Sequence, residues 1–168
     1  MSNIIILNAS PRKNGNTAAL VKSFIDGAQS SGNTVKEFYL QTMAIRGCQA
    51  CMGCARNADP CAQRDEMTAI YDAFKDCDMV VLASPVYFLG VAGPLKTAVD
   101  RLFAVFQKYG FESCIRDSAL LMTSDDPEYE APVAWYKSFI DAVGWNNLGE
   151  ILGSDKSEEA RALGASIQ

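Results

Sequence analysis

Cys48, Cys51, Cys54 and Cys61 fall in the pattern C-x2-C-x2-C-x6-C. Three thiols at every third residue can wrap one cubane, with Cys61 reaching back as the fourth ligand. Structural zinc more often uses two C-x2-C pairs well separated along the chain. The spacing leaves two chemistries open, a [4Fe–4S] cluster or four free thiols. A second stretch, "NASPRKNGNT" (8–17), follows the apolar run "IIIL" and crowds Ser10, Arg12, Lys13, Asn14, Asn16 and Thr17 around Gly15. Hydroxyls, side-chain amides and backbone N–H groups leading into a helix N-terminus suit a phosphate, and Arg12 adds a charge-assisted hydrogen bond. Capping that helix would take one such residue, Asn16 or Thr17, not six. The stretch is neither a Walker loop nor G-x-G-x-x-G. A third stretch, "SPVYFLG" (84–90), sets two aromatics behind Pro85, which stiffens the backbone. Backbone donors and flat surfaces there suit a planar heterocycle; packing against a helix or a partner subunit is the plain alternative.

The chain has no histidine. That removes the commonest general base and the Ser-His and Cys-His dyads, so chemistry must come from other side chains or from a cofactor. A length of 168 residues fits one domain, expected to run 1–168. A composition of 49% hydrophobic and 21% charged residues is that of an ordinary globular protein. The net charge of −5 argues against nucleic acid or anionic lipid as the main partner. No apolar run approaches the roughly 20 residues that span a bilayer. The opening "MSN" lacks the basic-then-apolar layout of a signal peptide. We therefore expect a cytoplasmic location and no disulfide framework among the six cysteines. Cys77 and Cys114 lie outside the motif, Cys77 reading as a small core residue beside a strand.

These residues hang on an alternating series of elements. Apolar runs predict strands over 3–8, 78–84 and 118–124, "TVKEFYL" (34–40) alternates like a strand, and 147–153 reads as a weaker fifth. Helical spacing marks 17–29 (Leu20, Val21, Phe24, Ile25, Ala28), then Met67, Ile70, Tyr71 and Phe74, then Leu95, Ala98, Val99, Leu102, Phe103 and Phe106. Tyr136, Phe139, Ile140 and Val143 mark a fourth helix, ended by Gly144, and 155–167 reads as a closing helix. Nearly all these apolar residues read as core packing. The alternation predicts an α/β fold in three layers, with a five-stranded parallel sheet in the order 2-1-3-4-5 and helices on both faces. The loops after strands 1 and 3 then meet beyond the carboxyl ends of the strands, where such sheets bind ligands.

"SPRKNGNT", "C-x2-C-x2-C" and "SPVYFLGVAGPLKTAVDR" together resemble the flavodoxin-like NAD(P)H-dependent FMN reductases and, among them, the iron–sulfur flavoproteins. The resemblance covers the chain from residue 3 to about 153. It implies FMN, with its phosphate held by Ser10, Arg12, Asn14, Asn16 and Thr17 and its ring lined by Pro85, Val86, Tyr87 and Phe88. The pyrimidine side falls to Thr123, Ser124, Asp125 and Asp126, an acidic version of a segment that is often glycine-rich in the family. The compact cysteine spacing matches the iron–sulfur flavoproteins and implies Cys48, Cys51, Cys54 and Cys61 as ligands of a [4Fe–4S] cluster. Many similar reductases keep such cysteines without a cluster, so free thiols near the flavin stay open. The implied reaction takes hydride from NAD(P)H to the flavin and passes electrons to a free flavin, a quinone, a metal centre or the cluster. It needs no side-chain base, and no catalytic residue is assigned. Lys96, Asp100 and Arg101 read as a subunit-contact or surface ion-pair set, and a homodimer is expected. Lying between the second strand and the second helix, the four cysteines are expected at the sheet edge of the flavin. An FMN electron carrier without nicotinamide turnover and a cysteine-loop redox or metal sensor are the rival classes.

Overall fold

The computed structural model describes residues 1–56 and 59–168. In chain order the elements are β1 (Asn3–Asn8), α1 (Asn16–Ser30), β2 (Thr34–Tyr39), α2 (Met67–Lys75), β3 (Met79–Tyr87), β4 (Gly90–Val91), α3 (Gly93–Tyr109), β5 (Asp117–Thr123), α4 (Glu130–Val143), β6 (Asn146–Leu152) and α5 (Ser157–Ser166). The five long strands are parallel and lie in the order β2-β1-β3-β5-β6. Taken alone they follow the expected 2-1-3-4-5 order. The expectation of five strands is corrected by a sixth, β4, which pairs antiparallel with the end of β3 (Val86 with Val91, Tyr87 with Gly90). The strand predicted to stop at Ser84 runs on to Tyr87, so Pro85, Val86 and Tyr87 are strand rather than loop. A short hairpin turn supplies the pairing that local pattern does not announce.

Side-chain alternation divides the core in two. Ile4 and Ile6 of β1 pack with Leu20, Val21, Phe24 and Ala28 of α1 and Ala160 of α5, while Ile5 and Leu7 pack with residues of α2, α3 and α4. Covering both faces is why β1 reads as an unbroken apolar run. Helices α1 and α5 touch backbone to backbone. A Cβ on Gly27 would land on the Arg161 carbonyl oxygen, and one on Gly164 would land on that of Phe24. Gly144, in the left-handed region at φ 70°, ends α4 as expected and donates its N–H to the last turn. Among the described residues no helix is long and apolar enough to cross a membrane.

Candidate functional site

The carboxyl ends of β1, β3 and β5 bring three segments around one small cavity of about 50 Å³. It is lined by Ser10, Pro11, Arg12, Gly15, Asn16 and Thr17 from the first, Pro85, Val86 and Tyr87 from the second, and Thr123, Ser124 and Asp125 from the third. The turn entering α1 is built by its own polar groups. Asn8 Oδ1 accepts the Ser10 N–H (2.9 Å), Ser10 Oγ donates to the Arg12 carbonyl (2.8 Å), and the Gly15 N–H donates to the same carbonyl (3.1 Å). Gly15, not Asn16 or Thr17, occupies the N-cap, and no side chain caps the helix. The first-turn N–H groups are therefore left for a ligand or solvent. The Arg12 side chain folds over this end; a Cβ on Gly15 would stand 3.2 Å from Arg12 Cβ and 3.4 Å from its Nε. A free helix N-terminus, a guanidinium above it and hydroxyls around it form a donor set that fits a phosphate monoester such as that of FMN.

Hydrogen bonds join the first segment to the third and brace the third and the second internally. Thr17 Oγ1 and Thr123 Oγ1 share a buried bond of 2.7 Å between α1 and β5. The Ser124 N–H donates to the Tyr129 hydroxyl (3.0 Å), which steadies the acidic turn. Ser84 Oγ accepts the Ala92 N–H (2.8 Å) and donates to the Pro85 carbonyl (2.7 Å), closing the β3–β4 hairpin. The hairpin turn holds Phe88 at φ 49° and Leu89 at φ 64°. Two-residue hairpin turns favour Asn-Gly or similar pairs because such angles crowd an ordinary Cβ, so this tip is strained. It is also bare: Tyr87 is 49%, Leu89 63% and Phe88 fully exposed. Tyr87 lies at the cavity wall, whereas Phe88 lies outside it. Asn14 also departs from the set: with Lys13 it lines a separate groove of about 570 Å³ between α1 and β2.

All four motif cysteines line a second cavity, about 160 Å³, closed by Gln63, Phe103, Ala104 and Arg101. Cys61 is buried, Cys54 half-buried, and Cys48 and Cys51 exposed. Ala50 (φ 50°) and Met52 (φ 53°), on either side of Cys51, hold the loop in a left-handed conformation. Four soft thiols on one cavity suit an iron–sulfur cluster. Among the described residues no group of three Cys, Asp or Glu side chains is gathered to hold a single ion. A cubane binds each thiolate to a different iron, so its ligands stand apart by construction. Gln63 Oε1 is buried without a partner among the described residues, an acceptor open to a thiol S–H or a bound group. The two cavities share no lining residue. The cysteine loop lies against α3: Cys48 and Ala50 share a groove with Lys96 and Val99, and the cavity's Arg101 is about 12 Å along the helix from its start at Gly93.

Arg101 corrects a second expectation. Lys96 and Asp100 do form an exposed pair (2.6 Å), but Arg101 is 1% exposed. It meets Asp65 with both terminal nitrogens (2.8 and 3.1 Å). Burial works against both charges, but the Arg101 bonds and the Arg46 N–H hold the Asp65 carboxyl below its usual range. Burial likewise opposes the guanidinium's charge, and Asp65 and Tyr71 overcome it, raising its pKa. Burial pushes the Tyr71 hydroxyl up. Asp65, Gln63, Tyr71, Tyr129 and Gly15 were not singled out as site residues from sequence. The available signal was Arg101 itself, a charge three residues after Ala98 and four before Val105 on a helix whose stripe is apolar.

The family model described as NADPH-dependent FMN reductase matches residues 2–124. An iron-sulfur flavoprotein of Archaeoglobus fulgidus is 34% identical over 93 residues, 55% of this chain and 42% of that protein. One of Methanocaldococcus jannaschii is 32% identical over 98 residues, 58% of this chain and 50% of that protein. The chain spans about half the length of the curated relatives it matches. Among solved structures, the NAD(P)H:quinone oxidoreductase from Methanothermobacter marburgensis has a TM-score of 0.72 at 18% identity, covering 98% of this chain and 96% of that one. An FMN-dependent NADH-azoreductase from Bacillus anthracis has a TM-score of 0.68 at 15% identity, covering 98% and 95%. At such identities the likeness is one of fold. With its flavodoxin-like sheet and a family match over more than half its length, this chain belongs to the NADPH-dependent FMN reductase family.

Proposed function

We propose that this chain is an FMN-dependent oxidoreductase that takes hydride from NAD(P)H and passes electrons to a flavin, quinone or iron–sulfur acceptor. The observation that carries this reading is the cavity where an uncapped helix N-terminus, Arg12 and the Thr17–Thr123 pair meet the β3–β4 hairpin. When bound, FMN supplies the redox chemistry, and no side-chain base is needed. Ser10, Arg12, Gly15, Asn16 and Thr17 hold the phosphate; Pro85, Val86 and Tyr87 lie against the ring; Thr123, Ser124 and Asp125 border its polar side. The bare tip at Phe88 and Leu89 offers an apolar surface to a planar acceptor. Steady-state oxidation of NADH and NADPH, with added FMN or a quinone, tests the activity. Protein that binds FMN but shows no nicotinamide turnover would make it an electron carrier.

Our inference for the thiol cavity is a [4Fe–4S] cluster held by Cys48, Cys51, Cys54 and Cys61, supported by their convergence on one cavity with mostly apolar walls. We further propose a homodimer through the α3–α4 face. There Phe103 and Phe111 are exposed beside Trp135 and Phe139 around a groove of about 480 Å³. Sedimentation equilibrium of the protein and of Phe103→Glu tests it, with loss of the dimer in the variant expected.

A further inference from the structure

The segment that carries the four cysteines is long, and ordering it costs chain entropy unless its ends are held. Its two limbs meet at a neck. The Arg46 N–H donates to Asp65 Oδ2 (3.1 Å), and Gln63 Nε2 donates to the Gly47 carbonyl (3.0 Å). Arg101, reaching from α3, grips both limbs with one guanidinium. Its Nη1 donates to the Arg46 carbonyl (2.7 Å) and to Asp65 Oδ2 (2.8 Å), and its Nη2 donates to Asp65 Oδ1 (3.1 Å). Nε donates to the Tyr71 hydroxyl (3.1 Å), which donates in turn to the Arg101 carbonyl (3.1 Å). Arg46 and Asp65 precede and follow the motif closely, so this one side chain sets where the loop begins and where it returns.

The pair is also oriented. Arg101 lines the thiol cavity, while Asp65 lies away from it, bordering a groove with Arg46 and Arg64. The other charged residue at the cavity, Asp100, is turned to an exposed partner, Lys96. Arg101 and Asp65 together therefore present a positive end to the thiols with the negative end behind. A cluster ligated by four thiolates is anionic and gains further negative charge on reduction. An anion in an apolar cavity is costly without a countercharge, and a nearby cation favours the reduced state over the oxidised one.

We propose that Arg101 and Asp65 are positioning residues for the cysteine loop: they clamp its neck and set the electrostatic potential at the cavity. The charge assignment rests on the cluster reading above; the clamp does not.

The test uses the full chain made and purified without oxygen, in four forms: unmodified, Arg101→Gln, Asp65→Asn and the double variant. FMN content reports folding in each. Hydrogen exchange over 46–66 in cluster-free protein reads the clamp. Each single variant loses a charge-assisted pair, so exchange there should rise on the order of tenfold with the β-sheet unchanged. Iron, acid-labile sulfide and the cluster midpoint potential read the charge. Arg101→Gln should lower the potential, Asp65→Asn should raise it, and the double variant, which restores neutrality, should return it toward the unmodified value. A merely loosened loop would admit water alike in both single variants and shift both potentials the same way, which would overturn the charge assignment. Unchanged exchange over 46–66 in all variants would overturn the clamp. No iron in the unmodified chain after reconstitution would reject the cluster reading and the charge assignment together, and the exchange data would then judge the clamp by itself. If a single variant fails to fold, the neutral double variant carries the comparison: wild-type exchange in it would sink the clamp.

Discussion

Arg12→Ala tests the proposed phosphate contact separately from the rest of the proposed flavin site. The side chain lies over Gly15, at the uncapped start of α1. A hydrogen bond to a charged group contributes about 1.5–3 kcal/mol. Arg12 is exposed, so solvent and salt place its contribution toward the lower end. At about 1.4 kcal/mol per factor of ten, losing it should weaken FMN binding by about ten- to thirtyfold. The N–H groups of the first turn remain, with a helix-dipole term of roughly 0.3–1 kcal/mol, so FMN should still be preferred over riboflavin. Riboflavin, which lacks the phosphate, should bind the variant and the unmodified protein equally within about twofold, an interval well under one hydrogen bond. Titration of each flavin followed by fluorescence quenching, at low and at high salt, gives the four affinities. The FMN penalty should shrink as salt rises, because the lost interaction is a screened one. The reasoning is refuted if Arg12→Ala weakens riboflavin as much as FMN, or if the unmodified protein binds the two equally.

Replacing the hairpin tip, Phe88→Asn with Leu89→Gly, should remove left-handed strain of about 1–2 kcal/mol per residue and raise Tm by several degrees; if the bare apolar tip serves the acceptor, kcat/KM for a quinone should fall in the same protein, and a drop in Tm would refute the strain. Cys51→Ser should abolish iron binding while FMN content is unchanged, whereas Cys77→Ala should leave iron in place, because Cys77 is buried away from the thiol cavity with its Sγ on the Phe74 carbonyl; colorimetric iron and flavin assays on anaerobic protein decide both. Asp65 has a folded pKa below its unfolded one, so its contribution is fully present above about pH 4 and is lost as pH falls through the folded value. Tm measured between pH 6 and pH 2.5 should therefore fall less steeply in Asp65→Asn, and parallel curves would refute the assignment.

Much of this molecule is legible in local pattern. The apolar runs of β1, β3 and β5 and the stripes of α1, α2 and α3 are periodic over a few residues, and periodicity is set by which faces are covered. Donor crowding before α1 is likewise a local signal, and it lies at the carboxyl end of β1 because the order of elements puts it there. The sixth strand escaped because Phe88 and Leu89 are not residues that announce a hairpin; pairing with Val91 and the Ser84–Ala92 bond hold the turn against its own preference.

What the sequence determined by itself, then, is the helices, the five long strands with their parallel order, and the donor-rich, aromatic and cysteine-bearing segments, since each depends on neighbours a turn or a strand away. Tertiary structure decided which of those segments touch. It joined Thr17 to Thr123 across 106 positions, set Asn14 on the groove between α1 and β2 and Phe88 at the bare hairpin tip, and laid the cysteine loop against α3. It also turned Arg101 from a surface charge into the buried link between the two limbs of that loop. The physical reason is the same in each case. A hydrogen bond or an ion pair is decided by distance in space and by exclusion of water, and neither is encoded at the position of either partner alone.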